Sequence, residues 1–188
     1  MFIPVIVGTT RQGRQSLKVA KFIQFHLTRD SAVSTEFIDL LEYKLPFLEE
    51  RLNYLENPPD SVMKFGEKVR CADALIVVSP EYNGSYPGVL KNALDYLRDE
   101  YKGKLVGLIT VSGGPHGGKS CMELLERFFR RLDAVVMKES FTVNNVSGTF
   151  SDNGATSEGT YETRASQLVD ELKQSIIASS VEKEAASP

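Results

Sequence analysis

Short apolar runs alternate with amphipathic segments along this chain. Five runs rich in β-branched residues have the length of buried strands, and they cover residues 2–7, 33–40, 74–78, 104–111 and 134–137, the last continuing through 141–146. Five other segments place apolar residues at helical spacing, at residues 17–27, 60–72, 89–97, 121–132 and 161–177. This alternation predicts an α/β fold with an open, doubly wound, five-stranded parallel sheet and helices on both faces.

The pattern also predicts one domain. A length of 188 residues suits a single core, so we assign residues 1–177 to that domain and residues 178–188 to a flexible polar C-terminal tail. Residues 41–59 predict an irregular connection that carries several aromatic side chains, and residues 147–159 predict a loop.

Composition argues against several functional classes. The 22 basic and 25 acidic residues leave a net charge of −3, whereas nucleic-acid-binding proteins normally carry a basic excess. No apolar run approaches the roughly 20 residues of a membrane-spanning helix, and the N-terminus lacks the features of a signal peptide. We therefore expect a cytoplasmic protein. Cys71 and Cys121 lack CxxC spacing and the chain has two histidines, so we expect no metal site.

The stretch at residues 74–97 predicts a ligand-binding loop. Its apolar run is typical of a central parallel strand, and helical spacing resumes after Pro87. Between them Ser79, Asn83 and Gly84 indicate a sharp, exposed turn. Ligands of doubly wound sheets bind at the carboxyl ends of the strands. In the strand order 2-1-3-4-5, the loops after strands one, three and four are neighbours.

The loop at residues 8–16 carries the residue types of an anion site. Two threonines and Ser16 offer hydroxyl groups, and Arg11 or Arg14 can bind a phosphate through two N–H groups. Backbone N–H groups at the start of the next helix also favour negative charge. We favour phosphate binding over a solvated turn with two surface arginines. Thr10 occupies the second glycine position of GxGxxG, which argues against a Rossmann dinucleotide site.

The loop after the fourth strand matches a nucleotide-binding pattern. Residues 113–120 read GGPHGGKS and fit GxxxxGK[ST], the P-loop of nucleoside triphosphatases. The motif does not open the domain, however, and Lys138 follows the next apolar run where a Mg²⁺-binding aspartate would be needed. These two features argue against a P-loop triphosphatase, which we keep as an alternative and not as the preferred hypothesis. The other interpretation of this loop is that Gly113 and Gly114, which have no side chain, let the backbone approach a flat ligand closely.

Together these residues resemble the NADPH-dependent FMN reductase family, flavodoxin-like flavoproteins that include quinone, azo-dye and chromate reductases. The resemblance covers residue 1 to about residue 146. Its most specific part is SPEYNGSYPGVLKNALDYL, close to a Pro-Glu-Tyr-Asn turn followed by Pro-x-x-Leu-Lys-Asn-Ala. GTTRQGRQS resembles the family's phosphate loop, and ITVSGGPHGG resembles its third flavin loop. Arg14 and Ser16 depart from the pattern, which has serine and asparagine there.

The resemblance implies a flavodoxin-like fold with strand order 2-1-3-4-5 and a bound FMN. It implies no catalytic side chain, because the flavin N5 carries the chemistry. The residues that would hold the FMN phosphate are Thr9, Arg11, Arg14, Gln15 and Ser16. Those along the flavin edge would be Pro80, Glu81, Tyr82, Asn83 and Gly84, and those of the third loop would be Ser112, Gly113 and Gly114.

The implied reaction is ping-pong, with NADPH or NADH delivering a hydride to FMN and leaving before a small-molecule acceptor binds. Quinone, azo compound, chromate or another metal ion, and free flavin all fit as acceptors. The resemblance also implies a homodimer or homotetramer with the flavin near the interface, and residues 43–54 and the helix after Pro87 are the expected contacts. We favour structural roles for Lys91 and Asn92, and a surface position for His116.

A flavodoxin-type electron carrier without NAD(P)H turnover is the other alternative. Flavodoxins use a hydroxyl-rich phosphate loop without arginine and carry a strongly acidic surface. This chain has Arg11, Arg14 and a net charge of only −3. The reductase is therefore the preferred hypothesis.

Overall fold

A computed structural model describes residues 1–185 of the chain. Its strands form one parallel sheet, and they are β1 (Val5–Val7), β2 (Phe37–Asp39), β3 (Ala74–Pro80), β4 (Leu105–Val111), β5 (Val135–Val136) and β6 (Phe141–Val143). The order is β2-β1-β3-β4-β5, and β6 also pairs with β4, nearer its carboxyl end. The predicted flavodoxin-like α/β fold with strand order 2-1-3-4-5 is confirmed.

Helices cover both faces of this sheet. They are α1 (Ser16–Thr28), α2 (Leu40–Tyr43), α3 (Asp60–Cys71), α4 (Gly88–Asp95), α5 (Lys119–Arg131), α6 (Val146–Thr149) and α7 (Gly159–Ala185), with 3₁₀ turns at Leu52–Tyr54 and Asp99–Tyr101. α1 and α7 pack on one face, and α3, α4 and α5 pack on the other. Successive strand residues serve opposite layers, so Ile76 packs toward α1 and α7 and Val77 packs toward α3, α4 and α5.

The strand register brings the carboxyl ends of β1, β3 and β4 together. Val7 of β1 pairs with Val78 of β3. Along the same edge, Pro80 of β3 pairs with Val111 of β4. The loops that follow β1, β3 and β4 therefore start within a few residues of one another at the carboxyl end of the sheet.

Two predicted strands have different bounds in the structure. Pro4 has no N–H group, so β1 begins at Val5, although Ile3 N still donates to Ser34 O at 2.9 Å. The predicted fifth strand divides into β5 and β6. Its ladder stops after Met137, and the Ser140 hydroxyl accepts from Leu108 N at 3.0 Å in place of a strand carbonyl.

Several helix predictions also change. The helix predicted at residues 60–72 forms as α3, and its N-cap is Pro59. Apolar spacing at residues 121–132 does not mark only inward-facing positions, because Leu124 is exposed on the outer side of α5. Residue 146, predicted at the end of the fifth strand, and residues 147–149, predicted as loop, form the short helix α6.

The last helix continues beyond its predicted end. α7 reaches Ala185, whereas the apolar spacing predicted an end at Ile177. The single domain over residues 1–177 and the flexibility of residues 178–188 stay predictions, and residues 186–188 lie outside the described chain. Within residues 1–185, no helix is both long enough and apolar enough to cross a membrane.

His26 is a buried titratable group at the contact between α1 and α7. Its side chain is 2% exposed, and its Nε2 lies 3.0 Å from Oε2 of Glu162. The Phe22 ring packs against it with 4.7 Å between ring centroids. Burial lowers the pKa of His26 below its usual 6.5, with Glu162 opposing this shift and Arg29 adding to it.

We expect the protein to lose stability as pH falls from 7.5 to 5.5. Because the pKa of His26 is lower in the folded state, the unfolded state binds more protons below pH 6.5. The stabilisation is present above that pH and is lost as pH falls through the folded pKa. Urea unfolding of His26→Gln should show a flatter pH dependence. His116→Gln, at the exposed histidine, should keep the wild-type slope, and equal slopes in both variants would contradict the assignment.

Candidate functional site

A cavity of about 320 Å³ lies where the loops after β1, β3 and β4 meet. Most of its walls come from residues that the sequence predicted for a cofactor site. It is lined by Arg11, Gln12, Gly13, Arg14, Gln15, Ser16, Pro80, Glu81, Tyr82, Val111, Ser112, Gly113, Val146 and Ser147. Of the thirteen predicted residues, Thr9, Asn83, Gly84 and Gly114 are not among its lining residues.

The first wall is the loop between β1 and α1. Helix α1 starts at Ser16, and the N-cap side chain of Gln15 donates to Gly13 O at 3.0 Å rather than to the helix. Lys18 N donates to Gln15 O at 3.0 Å, whereas the N–H groups of Ser16 and Leu17 have no carbonyl partner inside the helix. Such N–H groups at a helix N-terminus favour a bound anion.

Two polar atoms of this loop are buried without a partner among the described residues. They are Oγ of Ser16 and Oε1 of Gln15. Ser16 is only 1% exposed, and an unpaired buried hydroxyl is costly unless a ligand or water satisfies it. An orphaned donor beside free helix N–H groups fits the phosphate of a nucleotide-type cofactor.

The two arginines of the loop are used differently. Arg11 is exposed, and its guanidinium carbon lies 5.8 Å from the centre of the Tyr82 ring. Arg14 is almost buried and donates to both carboxylate oxygens of Asp39, at 2.5 and 2.6 Å. Arg11 is therefore the guanidinium that is free to move toward an anion, and Arg14 is held by the protein.

Thr9 is buried behind the cavity. Its hydroxyl forms a 2.7 Å hydrogen bond with the hydroxyl of Tyr82, and it accepts from Arg11 N at 3.3 Å. The structure thus assigns Thr9 a structural bond that joins the first loop to the loop after β3.

The second wall is the loop after β3. Pro80 ends the strand, and a tight turn follows in which Tyr82 and Ser85 exchange backbone hydrogen bonds of 2.7 and 3.1 Å. The two central turn residues, Asn83 and Gly84, both have positive φ, at 51° and 80°. They are exposed at the tip of the turn, while Pro80, Glu81 and Tyr82 face the cavity.

Glu81 is bonded to the start of α5. Its Oε2 accepts from Cys121 N at 3.0 Å, and its own N–H donates to Val111 O at 3.0 Å. The carboxylate satisfies one of the free N–H groups in the first turn of α5. Burial raises the pKa of the neighbouring Cys121 thiol to about 11, so this cysteine is a buried thiol and not a nucleophile.

The third wall is the loop after β4. Ser112 and Gly113 line the cavity, and the Ser112 hydroxyl accepts from Gly114 N at 3.0 Å. Gly117 and Gly118 are buried residues of the P-loop-like motif, and an added Cβ would lie 2.9 Å from Thr142 at Gly117 and 3.2 Å from Thr110 at Gly118. These two glycines therefore serve packing against β6 and β4.

The remaining candidates lie away from the cavity lining. Asn92 accepts from Leu48 N at 2.9 Å and donates to Pro46 O at 2.7 Å, so it pins the connection between α2 and α3. Lys91 pairs with Asp95 one turn along α4, and His116 is exposed. The structural roles expected for Lys91 and Asn92 agree with these contacts.

Sequence reasoning missed several lining residues. Val111 is the last residue of a predicted strand, and Val146 and Ser147 start α6 beyond the carboxyl end of β6. Asp39, which holds Arg14, ends an apolar run where β2 reaches the same edge of the sheet. The available signal for Asp39 was an acidic residue near the carboxyl end of the run predicted as a strand at residues 33–40.

A family model described as NADPH-dependent FMN reductase matches residues 1–148. An NAD(P)H-dependent FMN reductase of Schizosaccharomyces pombe is 34% identical over 128 residues, 66% of this chain and 63% of that relative. A quinone reductase of Pseudomonas putida is 30% identical over 166 residues, covering 84% of this chain and 86% of the relative.

The fold is similar to that of FerB, a flavoenzyme NAD(P)H:(acceptor) oxidoreductase from Paracoccus denitrificans. The TM-score is 0.79 at 22% identity, with 94% of this chain and 97% of the other covered. This likeness supports the flavodoxin-like fold described above.

We expect Glu81→Ala to lower the free energy of unfolding by about 1–2 kcal/mol, the usual loss when a side chain at a helix N-terminus no longer accepts from the backbone. Urea titration measures the change. Glu123→Ala, on the exposed side of the same helix, should stay within about 0.5 kcal/mol of wild type. Equal losses in the two variants would show that Glu81 does not stabilise α5.

Proposed function

The chain belongs to the NADPH-dependent FMN reductase family, so it is an oxidoreductase that uses FMN with NAD(P)H as donor, and we propose that it passes a hydride through FMN to a small-molecule acceptor. The observation that carries the site assignment is the unpartnered, buried Ser16 hydroxyl at the start of α1. Ser16 lines a cavity whose other walls come from the loops after β3 and β4 and from the start of α6.

The first loop would hold the FMN phosphate. Ser16 would donate its hydroxyl, α1 would contribute backbone N–H groups, and Arg11 would supply a positive charge. Arg14 and Gln15 line the same end of the cavity. Thr9 would act from behind, by keeping Tyr82 and the first loop together.

The other two loops would lie along the isoalloxazine. Pro80, Glu81 and Tyr82 would provide mainly backbone contacts on one side, since the Glu81 carboxylate is bonded to α5. Ser112 and Gly113 would approach from the other side, with Gly114 behind them. Asn83 and Gly84 would shape the turn that presents this edge.

FMN, when bound, accepts the hydride at N5 and supplies the electrons to the acceptor, so the protein needs to bind, orient and shield it. This matches a cavity without an arrangement of nucleophile and base. We propose a ping-pong order, in which donor and acceptor use the same space beside the flavin in turn.

The acceptor is proposed from chemistry and from the relatives. A quinone is the first candidate, because the relative from Pseudomonas putida is a quinone reductase. Azo compounds, chromate or other metal ions, and free flavin also fit an accessible flavin face. We propose either NADPH or NADH as the hydride donor. NADPH differs from NADH by a 2′-phosphate, and none of the residues that line the cavity is assigned to bind that group.

We also propose that the protein forms a homodimer or homotetramer with the flavin near the interface. The connection between α2 and α3 supports this proposal, because Phe47 is 90% exposed and Tyr54 is also exposed. Asn92 and Tyr96 hold its backbone in place. Exposed aromatic residues on an ordered segment are typical of interfaces, and sedimentation velocity gives the oligomeric state.

A cytoplasmic location is part of the same proposal. Cys71 and Cys121 are both free thiols, which suits a reducing compartment. Cell fractionation with an antibody to the protein tests the location directly.

The purified protein should be yellow, or become yellow with added FMN, and NADPH or NADH should bleach it under anaerobic conditions. Adding a quinone, an azo dye or chromate afterwards should restore the colour and rank the acceptors. A protein that binds FMN but is not bleached would be a carrier instead. A protein that binds no FMN yet hydrolyses ATP would favour the P-loop alternative.

Arg11→Ala should weaken FMN binding by about 1–3 kcal/mol, because a charge-assisted hydrogen bond to the phosphate is lost. Titration of flavin fluorescence measures the dissociation constant. Arg127→Ala, an exposed arginine on α5 away from the cavity, is the matched control and should bind FMN as wild type does. Equal affinities for all three proteins would remove Arg11 from the phosphate site.

A further inference from the structure

Asp39 is a buried carboxylate beside the phosphate loop. Neither the sequence motifs nor the family resemblance assigns it a role. It is the last residue of β2, and its side chain is 7% exposed. Both of its oxygens accept from the guanidinium of Arg14, at 2.5 and 2.6 Å. Oδ1 also accepts from Leu41 N at 3.0 Å, which caps α2.

The guanidinium of Arg14 has N–H donors that no hydrogen bond among residues 1–185 uses. A guanidinium has five N–H groups. Three of them are used, because NH1 also donates to Thr9 O at 2.9 Å. For the other two, on Nε and NH2, residues 1–185 provide no hydrogen-bond partner. The side chain is 11% exposed and lines the cavity together with Ser16, whose hydroxyl is also unpartnered.

The stability that a buried ion pair contributes does not by itself explain why Arg14 and Asp39 are paired here. Removing two charges from water costs several kcal/mol, and their attraction often does no more than offset that cost. A well-defined position of the guanidinium is the clearer benefit. Two parallel hydrogen bonds to Asp39 and one to the loop backbone fix the plane of the guanidinium. A Lys or Ser side chain at residue 14 has no planar fork of donors, so it would not be fixed in this way.

We propose that Asp39 is a positioning residue for the flavin phosphate, acting through Arg14. Asp39 orients the guanidinium so that its two unused N–H donors serve the phosphate beside the Ser16 hydroxyl. It also neutralises Arg14, which leaves Arg11 as the arginine of the loop without a carboxylate partner. The discrimination between FMN and riboflavin, which lacks the phosphate, then depends on Asp39. This inference rests on the proposed function.

Asp39→Asn tests the proposal with little change in shape. Asparagine is a good N-cap residue, so α2 keeps its cap, while one acceptor of the guanidinium is lost. The readout is the ratio of the riboflavin and FMN dissociation constants, measured by flavin fluorescence. We expect FMN binding to weaken about tenfold, the effect of one charge-assisted hydrogen bond, and riboflavin binding to stay unchanged. Glu36→Gln, at a carboxylate paired with Lys68, should leave the ratio unchanged.

A second pair of variants removes the concern that an unpaired buried arginine prevents folding. Arg14→Ser introduces the residue of the family pattern and removes the positive charge. In that background Asp39→Asn should not change the ratio further, because the residue through which Asp39 acts is absent. The ³¹P NMR shift of bound FMN should differ between wild type and Asp39→Asn, and should coincide in the two Arg14→Ser proteins.

Two results would overturn the inference: tighter FMN binding in Asp39→Asn, or an unchanged ratio, whether neither affinity changes or both flavins lose affinity equally. An equal loss would mean that Asp39 has only a structural role. These results are distinct from a failure of the proposed function. If the wild-type protein binds FMN and NADPH bleaches it, the reductase stands whatever the ratio. If the wild-type protein binds neither flavin, both proposals are wrong.

Discussion

The parallel pairing of β1, β3 and β4 is the constraint on which the candidate site depends. Parallel strands end at the same edge of the sheet, so the loops that follow Val7, Pro80 and Val111 come together there although they are distant in sequence. The pairs Val7 with Val78 and Pro80 with Val111 place the exits side by side. Burial of alternate side chains in two helical layers maintains this register, because a slip of one residue would reverse every face.

Three polar contacts then brace the loops against one another. Thr9 bonds to Tyr82 across the first two loops, Glu81 bonds to the start of α5, and Asp39 holds Arg14. All of them form within the protein itself. The cavity therefore has a defined shape before a cofactor enters, which reduces the ordering cost that binding must overcome.

The loops were predictable from sequence, whereas the partners of individual side chains were not. Strand, turn residues and helix follow one another locally at residues 74–97, and the structure places a cavity there. Arg14 and Glu81 were both expected at the cofactor. Their partners, Asp39 and Cys121, lie 25 and 40 residues away, and only the strand order brings them near. Ser140 likewise interrupts the fifth strand through a bond to Leu108 that no local pattern encodes.

The sequence by itself determined the alternation of strands and helices, the strand order through the family motifs, and the three loops with their residue types. Those features follow from local periodicity, turn chemistry and a charge-bearing loop before a helix. The tertiary structure decided which donors are available to a ligand. Arg14 has three of its five N–H groups engaged, Glu81 is bonded to α5, and the hydroxyl of Ser16 is left without a partner. The physical reason is that a polar side chain bonds to whatever the packed core places beside it, and that neighbour is set by contacts distant in sequence.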